Sequence, residues 1–413
     1  MIIAFLVSFF SFVHISAIGE LYISELVLGF SLILLAKKRG KLFESTPKLI
    51  LILGFLWLCS QILTDLVQAS PVMNLMKGWA AIIFFLIDFA ALYLIVGNSV
   101  KRAKMSVLGF ALGGIFQFFV APTEFGLFDP WKWALAGPVT LLVLLFLDAK
   151  NKSAGLVLLT LVILGMIDIY LNARSMGGMT ILAGLIVYLC RQPRLNAIFK
   201  GRVGWGKKLF LTGISFVLIS LLLLGYQSIM EAGFLPENVT KKYEQTRSSS
   251  LGLLGLIFGG RIEILASAQA VLDSPIIGHG SWAEDRKYSL LLLQVNDVFG
   301  TEREMAELEF GANQSDLIPA HSHLMQAWVW AGIMGALFWF YILKFIIGSL
   351  FHAIKYPSGL QTVVIFFSIS AIWDVLFSPF GATMRLIWAI KLVVILVAKE
   401  ASESVTHAGV AKP

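Results

Sequence analysis

Three short polar stretches in a strongly apolar chain carry residue types able to hold an anion and move a proton. They are Asn172-Ala173-Arg174-Ser175, Gly259-Gly260-Arg261-Ile262-Glu263 running on to Pro275-Ile276-Ile277-Gly278-His279-Gly280, and Pro319-Ala320-His321-Ser322-His323. Gly259 and Gly260 let backbone approach a ligand closely just ahead of a predicted helix, and a guanidinium beside free helix amides suits a phosphate. His321 stands one or two residues before an apolar helix, with Pro319 marking where it begins. There the positive end of the helix dipole suits a neutral imidazole, the form that accepts a proton as a general base. Arg174 stands at the outer start of a span, where arginine is costly and so a functional candidate.

Each position also has a structural reading. Arg261 could cap a surface loop, His321 could be an interfacial histidine, and Arg174 could pair with Asp168 across two spans. His323 and His279 compete with His321 on local grounds. The acids Glu25, Asp65, Asp88 and Asp374 fall within apolar runs, where satisfied polar bridges are the commoner case; Asp374 and Arg385 are placed to pair, and Asp88 has no obvious partner. No phosphate-binding glycine loop, zinc-protease motif, serine triad or metal-type carboxylate cluster is present, so no metal or cofactor is expected. Cys59 and Cys190 lie in or beside apolar runs and are not expected to form a disulfide.

The elements that must position these residues are membrane spans. At 58% hydrophobic and 14% charged the chain cannot be an ordinary soluble globule, which carries about 25% charged residues. A span needs about 20 apolar residues. That measure predicts an all-α polytopic membrane protein with twelve spans near 1–18, 20–36, 48–65, 79–97, 105–121, 133–148, 155–171, 176–190, 208–229, 323–350, 359–380 and 383–398. The first two could form one re-entrant hairpin. The domains are therefore spans one to nine (1–229), a long polar loop (230–322), spans ten to twelve (323–398) and a polar tail (399–413).

The formal charge of +7 points to membrane orientation rather than to nucleic acid, because the cations cluster in short loops. Loops after even-numbered spans carry Lys37, Lys38, Arg39, Lys41, Lys101, Arg102, Lys104, Lys150, Lys152, Arg191 and Lys355, among others. The short loops after odd-numbered spans hold only Lys77, Lys132, Arg174 and Arg385. Both termini are thus expected in the cytoplasm, with Arg174 and the 230–322 loop outside. Within that loop, 261–273 reads as an amphipathic helix ended by Pro275 and the Gly278-His279-Gly280 turn. A second helix is expected within 284–308, with Tyr288–Val295 able to lie on the membrane surface.

Taken in order, the three stretches resemble the O-antigen ligase and O-antigen polymerase superfamily of bacterial envelope glycosyltransferases. The resemblance rests on Arg174-Ser175-Met176-Gly177-Gly178, on Gly260-Arg261 through Pro275-x-x-Gly278-x-Gly280, and on His321, Gln326, Gly332 and Gly335 in register. That register selects His321 over His323. The similarity covers about residues 155–345; departures are Ala173 where a serine is usual, an extra residue before the first glycines, Ser322 for asparagine, and Trp330 for an acid. What the resemblance implies is an inverting, metal-independent transfer on the periplasmic face of the inner membrane. A glycan on undecaprenyl diphosphate passes to a sugar hydroxyl, either on lipid A-core (ligase) or on another lipid-linked glycan (polymerase). Arg174 and Arg261 would hold the diphosphate, His321 would be the base, and Gln326, His323 and Gly260 would support them. The rival classes are a multi-pass transporter or lipid flippase, expected to show internal repeats and midplane sites, and a scaffold whose outer loop binds a partner.

Overall fold

The computed structural model describes residues 1–17, 19–150, 152–192, 263–299 and 316–410. In chain order its elements are α1 (Ile2–Phe9), a β-hairpin of β1 (His14–Ala17) and β2 (Gly19–Tyr22), α2 (Ile23–Leu34), α3 (Ser45–Val67), α4 (Val72–Val96), α5 (Val100–Val120), α6 (Glu124–Phe128) and α7 (Ala136–Ala149), which follows a π turn over Trp131–Leu135. Then come α8 (Ala154–Tyr170), α9 (Arg174–Arg191), α10 (Glu263–Asp273), α11 (Arg286–Phe299), α12 (His323–Ala331), α13 (Ile333–Lys355), α14 (Gln361–Phe377) and α15 (Met384–Val410). Among the described residues five helices are long and apolar enough to cross a membrane: α3, α4, α5, Trp131–Ala149 and α13. The protein is mostly helical and membrane-embedded, and span nine (208–229) lies outside the described residues.

Two departures from the expected spans sit at the chain's ends. The first two spans are replaced by short helices flanking the hairpin, whose reversal uses Gly19 at φ +86°. Helix α1, at eight residues, is too short to cross hydrocarbon. It lies instead against α5, where Cβ atoms on Gly109 and Gly113 would fall 2.2 Å from the carbonyls of Phe5 and Phe9, so the two backbones touch through small residues. At the other end, α15 carries the helix through the expected polar tail to Val410.

The most buried elements are α14 and α15. Residues Gln361–Ala371 and Trp388–Ala398 are almost wholly enclosed, as expected of helices apolar all round. Asp148 at the end of α7 accepts the amides of Thr362 and Val363 at 3.1 Å and so caps α14 from a neighbouring helix. Arg191, closing α9, reaches Asp148 (3.7 Å), Gln361 (3.2 Å) and the Lys152 carbonyl (2.8 Å). Because the end of α9 meets the start of α14 and the two helices pack along each other, they run antiparallel. Arg174 therefore lies at the end of the bundle where α14 finishes. Lys41, bonded to Asn98 at 2.8 Å, joins another two of the lysine-rich loops to each other.

The buried ions pair differently from expectation. Arg385 binds Glu25 (2.7 Å) and the Glu20 carbonyl (2.6 Å), while Asp374 binds Lys391 (2.5 Å). Glu25 is already fixed at the start of α2, accepting the Tyr22 amide at 2.9 Å, and so presents a rigid carboxylate to Arg385. Asp88 is fully buried, and neither of its carboxylate oxygens has a hydrogen-bond partner among the described residues. Removing one member of a buried pair strands the other charge, so Glu25→Ala is expected to lower stability by about 3–5 kcal/mol. In thermal melts, Glu25→Leu combined with Arg385→Met should recover part of that loss; a double variant no better than the single would contradict it.

Candidate functional site

The expected tenth span, 323–350, is not one helix. Gly332, at φ +65°, ends α12, and α13 folds back along it: the His323 ring lies 4.8 Å from that of Trp339, and Gly335 packs on the Ala327 carbonyl. In one continuous helix, residues 323 and 339 would be about 24 Å apart. The reversal is held by the strap 275–280. The Ile276 carbonyl accepts the Ile333 amide at 3.2 Å, and the amides of His279 and Gly280 donate to the carbonyls of Val329 (2.6 Å) and Trp330 (3.1 Å). Backbone groups left open by the break are thereby satisfied, which is the condition for irregular backbone in a membrane protein. The Pro275–Gly280 part of the second stretch is thus hydrogen-bonded to the helical hairpin that begins just after His321.

The strap is fastened in turn to the end of α3. Asp65 accepts from the Ser281 amide (2.6 Å), Ser281 Oγ (2.8 Å), Ser70 Oγ (2.8 Å) and Trp79 Nε1 (2.8 Å). Thr64 and Gln68 donate to the carbonyls of Ile277 (2.5 Å) and Gly278 (2.9 Å), and Gln61 donates to Ser281 Oγ (2.9 Å). These α3 residues are what the sequence reading missed. Asp65 stood out as a buried acid, but nothing local tied it to a segment more than two hundred residues away. His279 is structural as well, with its Nε2 bonded to the Ala270 carbonyl at 2.8 Å.

The histidines separate clearly. Ser322 caps α12, accepting the Met325 amide at 3.2 Å, and its hydroxyl donates to the Val375 carbonyl at 2.8 Å. His323 is fully buried and both its nitrogens are engaged. Trp388 Nε1 donates to Nε2 (2.6 Å), so the ring hydrogen is assigned to Nδ1, which donates to the Ser378 carbonyl (2.5 Å). Gln326 clasps Phe380 at both backbone groups, 2.8 and 2.7 Å. His323 and Gln326 thus fasten α12 to the turn between α14 and α15. His321 is exposed and makes no hydrogen bond among the described residues. It lies on the irregular segment just before α12, whose start is about 14 Å along the hairpin from the Gly332 tip.

Arg174 opens α9, half-buried. The ion pair of Arg174 with Asp168, the structural alternative, is not formed. Asp168 is buried and accepts Trp131 Nε1 at 2.9 Å, and its carbonyl takes the Ala173 amide at 2.7 Å. Met176-Gly177-Gly178 is helical, and Gly177 is there for packing, since a Cβ would meet the Gly165 carbonyl at 2.4 Å. Arg174 and His321 share one end of the bundle. Arg261 and Gly260 lie outside the described residues, as does all of 230–262. A cavity common to Arg174, Arg261 and His321, which the transferase reading expects, falls partly outside the described residues with Arg261. The cavity beneath the strap, bordered by Trp57, Gln61, Gly78, His323, Gln326 and Trp330, has room for about one water molecule and contains none of the three candidates.

The loop helices also differ in detail. Helix α10 buries Ala266, Ser267, Ala270 and Val271, whereas Leu265 and Leu272 are exposed; small residues allow close approach to α12. Tyr288 of α11 is buried instead of lying on a membrane surface, and its hydroxyl donates to Asp273 at 2.7 Å. Hydrogen bonds from Lys287, Tyr288 and Gln269 hold the Asp273 carboxyl down to about 2. Its contribution is present above the ordinary 3.8 and is lost only as pH falls towards 2, so this clamp survives mild acid.

Fold and site together define a helical membrane protein with a strapped helical hairpin and an exposed histidine beside it. Comparison with family models, with curated proteins and with solved structures finds no match.

Proposed function

We propose that the chain is an inverting, metal-independent glycosyltransferase. It moves a glycan from undecaprenyl diphosphate to a sugar hydroxyl at the periplasmic face of the inner membrane, as an O-antigen ligase acting on lipid A-core or as the related O-antigen or exopolysaccharide polymerase. The observation that carries this reading is the interlocking of the 275–281 strap with the α12–α13 hairpin, which brings two motif stretches of the resembled superfamily together and leaves His321 exposed beside them. His321 would take the proton from the acceptor hydroxyl as that oxygen attacks the anomeric carbon. The bond to the diphosphate breaks in the same step, and its electrons leave with the phosphate oxygen. Arg174 and Arg261 would hold that leaving group, a task suited to a guanidinium fork. Direct displacement inverts the anomeric centre.

Two experiments test the proposal. Deleting the gene should alter surface polysaccharide: loss of all capped lipopolysaccharide indicates the ligase, caps of a single repeat unit indicate the polymerase, and no change contradicts both. In proteoliposomes supplied with the lipid-linked donor and an acceptor, transfer should persist in excess chelator. Arg174→Ala should reduce it by about 10²-fold or more, as expected for losing a group that stabilises developing charge. Unchanged transfer would remove Arg174 from the site.

A further inference from the structure

The strap continues from Ser281 into Trp282, which has φ +48°, a backbone conformation that a bulky side chain rarely adopts. Such strain persists only where the surroundings enforce it, and here both neighbours are pinned. Ser281 is fixed on Asp65, and the Ala283 carbonyl accepts the Ile318 amide at 2.9 Å. The result is that the Trp282 ring lies against Trp330, centroids 4.3 Å apart at 35°, with both side chains half-buried rather than enclosed. The same pairing continues one step further, the Asp285 amide donating to Asp316 at 2.7 Å, and so it joins the tryptophan segment directly to the one carrying His321. Only Pro319 and Ala320 separate Ile318 from His321, a reach of roughly 10 Å at full extension.

We infer that Trp282 and Trp330 form a saccharide-binding platform on which a pyranose ring of a substrate glycan stacks, within a short oligosaccharide's reach of His321. A tryptophan face is electron-rich and broad, and it meets the weakly positive C–H face of a sugar ring without needing a charged partner. The inference deepens the transferase reading and rests on it for the identity of the glycan. Trp330 stands where the resembled superfamily often has an acid, so this would be a feature of this chain's own sequence.

The test is a binding measurement that needs no turnover. Oligosaccharides released by mild acid from the host's lipopolysaccharide, core and repeat-unit fractions separately, are labelled and titrated against the full-length protein in detergent, with fluorescence anisotropy as the readout. Trp282→Gly takes the positive φ without strain and removes the ring, so it should remain monodisperse yet bind one of the two fractions about tenfold more weakly. Trp282→Phe, which keeps a smaller ring, should fall between it and the parent protein and covers the case in which the glycine variant fails to fold. The fraction affected says whether the platform serves the acceptor or the donor glycan. Phe128→Ala, which alters an exposed aromatic on α6, should bind as the parent does. Equal binding by parent and Trp282→Gly, no binding by the parent, or equal weakening by Phe128→Ala would overturn the platform. The two readings fail separately. Transfer without any Trp282 effect on binding or KM leaves the transferase and removes the platform. Trp282-dependent binding without transfer does the reverse.

Discussion

Replacing His321 with alanine is expected to abolish glycan transfer while leaving the protein folded and inserted. The side chain is exposed and makes no hydrogen bond among the described residues, so its loss opens no cavity and strands no buried group. A positioned general base contributes about 10²–10⁴-fold, and the fall should appear in kcat with little change in donor binding. The informative contrast is His323→Ala, two residues on. That imidazole accepts from Trp388, donates to Ser378 and packs on the rings of Trp339 and Phe380. Its removal leaves a void and an unpaired indole, so the expected loss is a few kcal/mol of stability, seen as a lower melting temperature before any kinetic effect is interpretable. Two neighbouring histidines are thus predicted to fail in opposite ways. Full transfer by His321→Ala would remove the general-base role.

What could be read from the sequence follows from how local each signal is. Helices α3, α4 and α5 declare themselves by twenty or so consecutive apolar residues, and their expected and observed bounds agree within several residues. The register of His321 with Gln326, Gly332 and Gly335 is likewise a property of nearby positions. The hairpin is not. Residues 323–350 are predominantly apolar, and hydropathy does not distinguish a single span from two antiparallel pieces of it. What decides is a carbonyl at Ile276, delivered by a distant segment, on which Gly332 must close. Asp65 was unreadable for the same reason: a buried acid has one signature whether it lies idle or accepts several hydrogen bonds. Pairing of Arg385 with Glu25 instead of Asp374 likewise depended on where a β-hairpin, itself hidden in an apolar run, presents α2.

Gly332→Ala is expected to be among the most damaging single substitutions available, and the reason is geometric. A Cβ there would lie 1.9 Å from the Ile276 carbonyl oxygen and 2.7 Å from the Ile277 carbonyl carbon, at a φ of +65° that alanine adopts only at a cost. Neither obstacle is a flexible side chain that could swing aside. Both belong to the strap, which is fastened to α3 through Asp65, Thr64 and Gln68. Relief therefore requires the strap to lift or the hairpin to open, and either movement frees the Val329 and Trp330 carbonyls and displaces the segment that carries His321. The expected outcome is a loss of about 3 kcal/mol or more, combining backbone strain with broken hydrogen bonds, together with loss of transfer. Gly348→Ala, on the same α13 but with open space around the new methyl group, should be neutral or slightly stabilising, because alanine is the better helix former. Thermal melts of the two variants in the same detergent decide the matter. If Gly332→Ala melts with Gly348→Ala, the strap does not hold the hairpin closed, and His321 is positioned by something else.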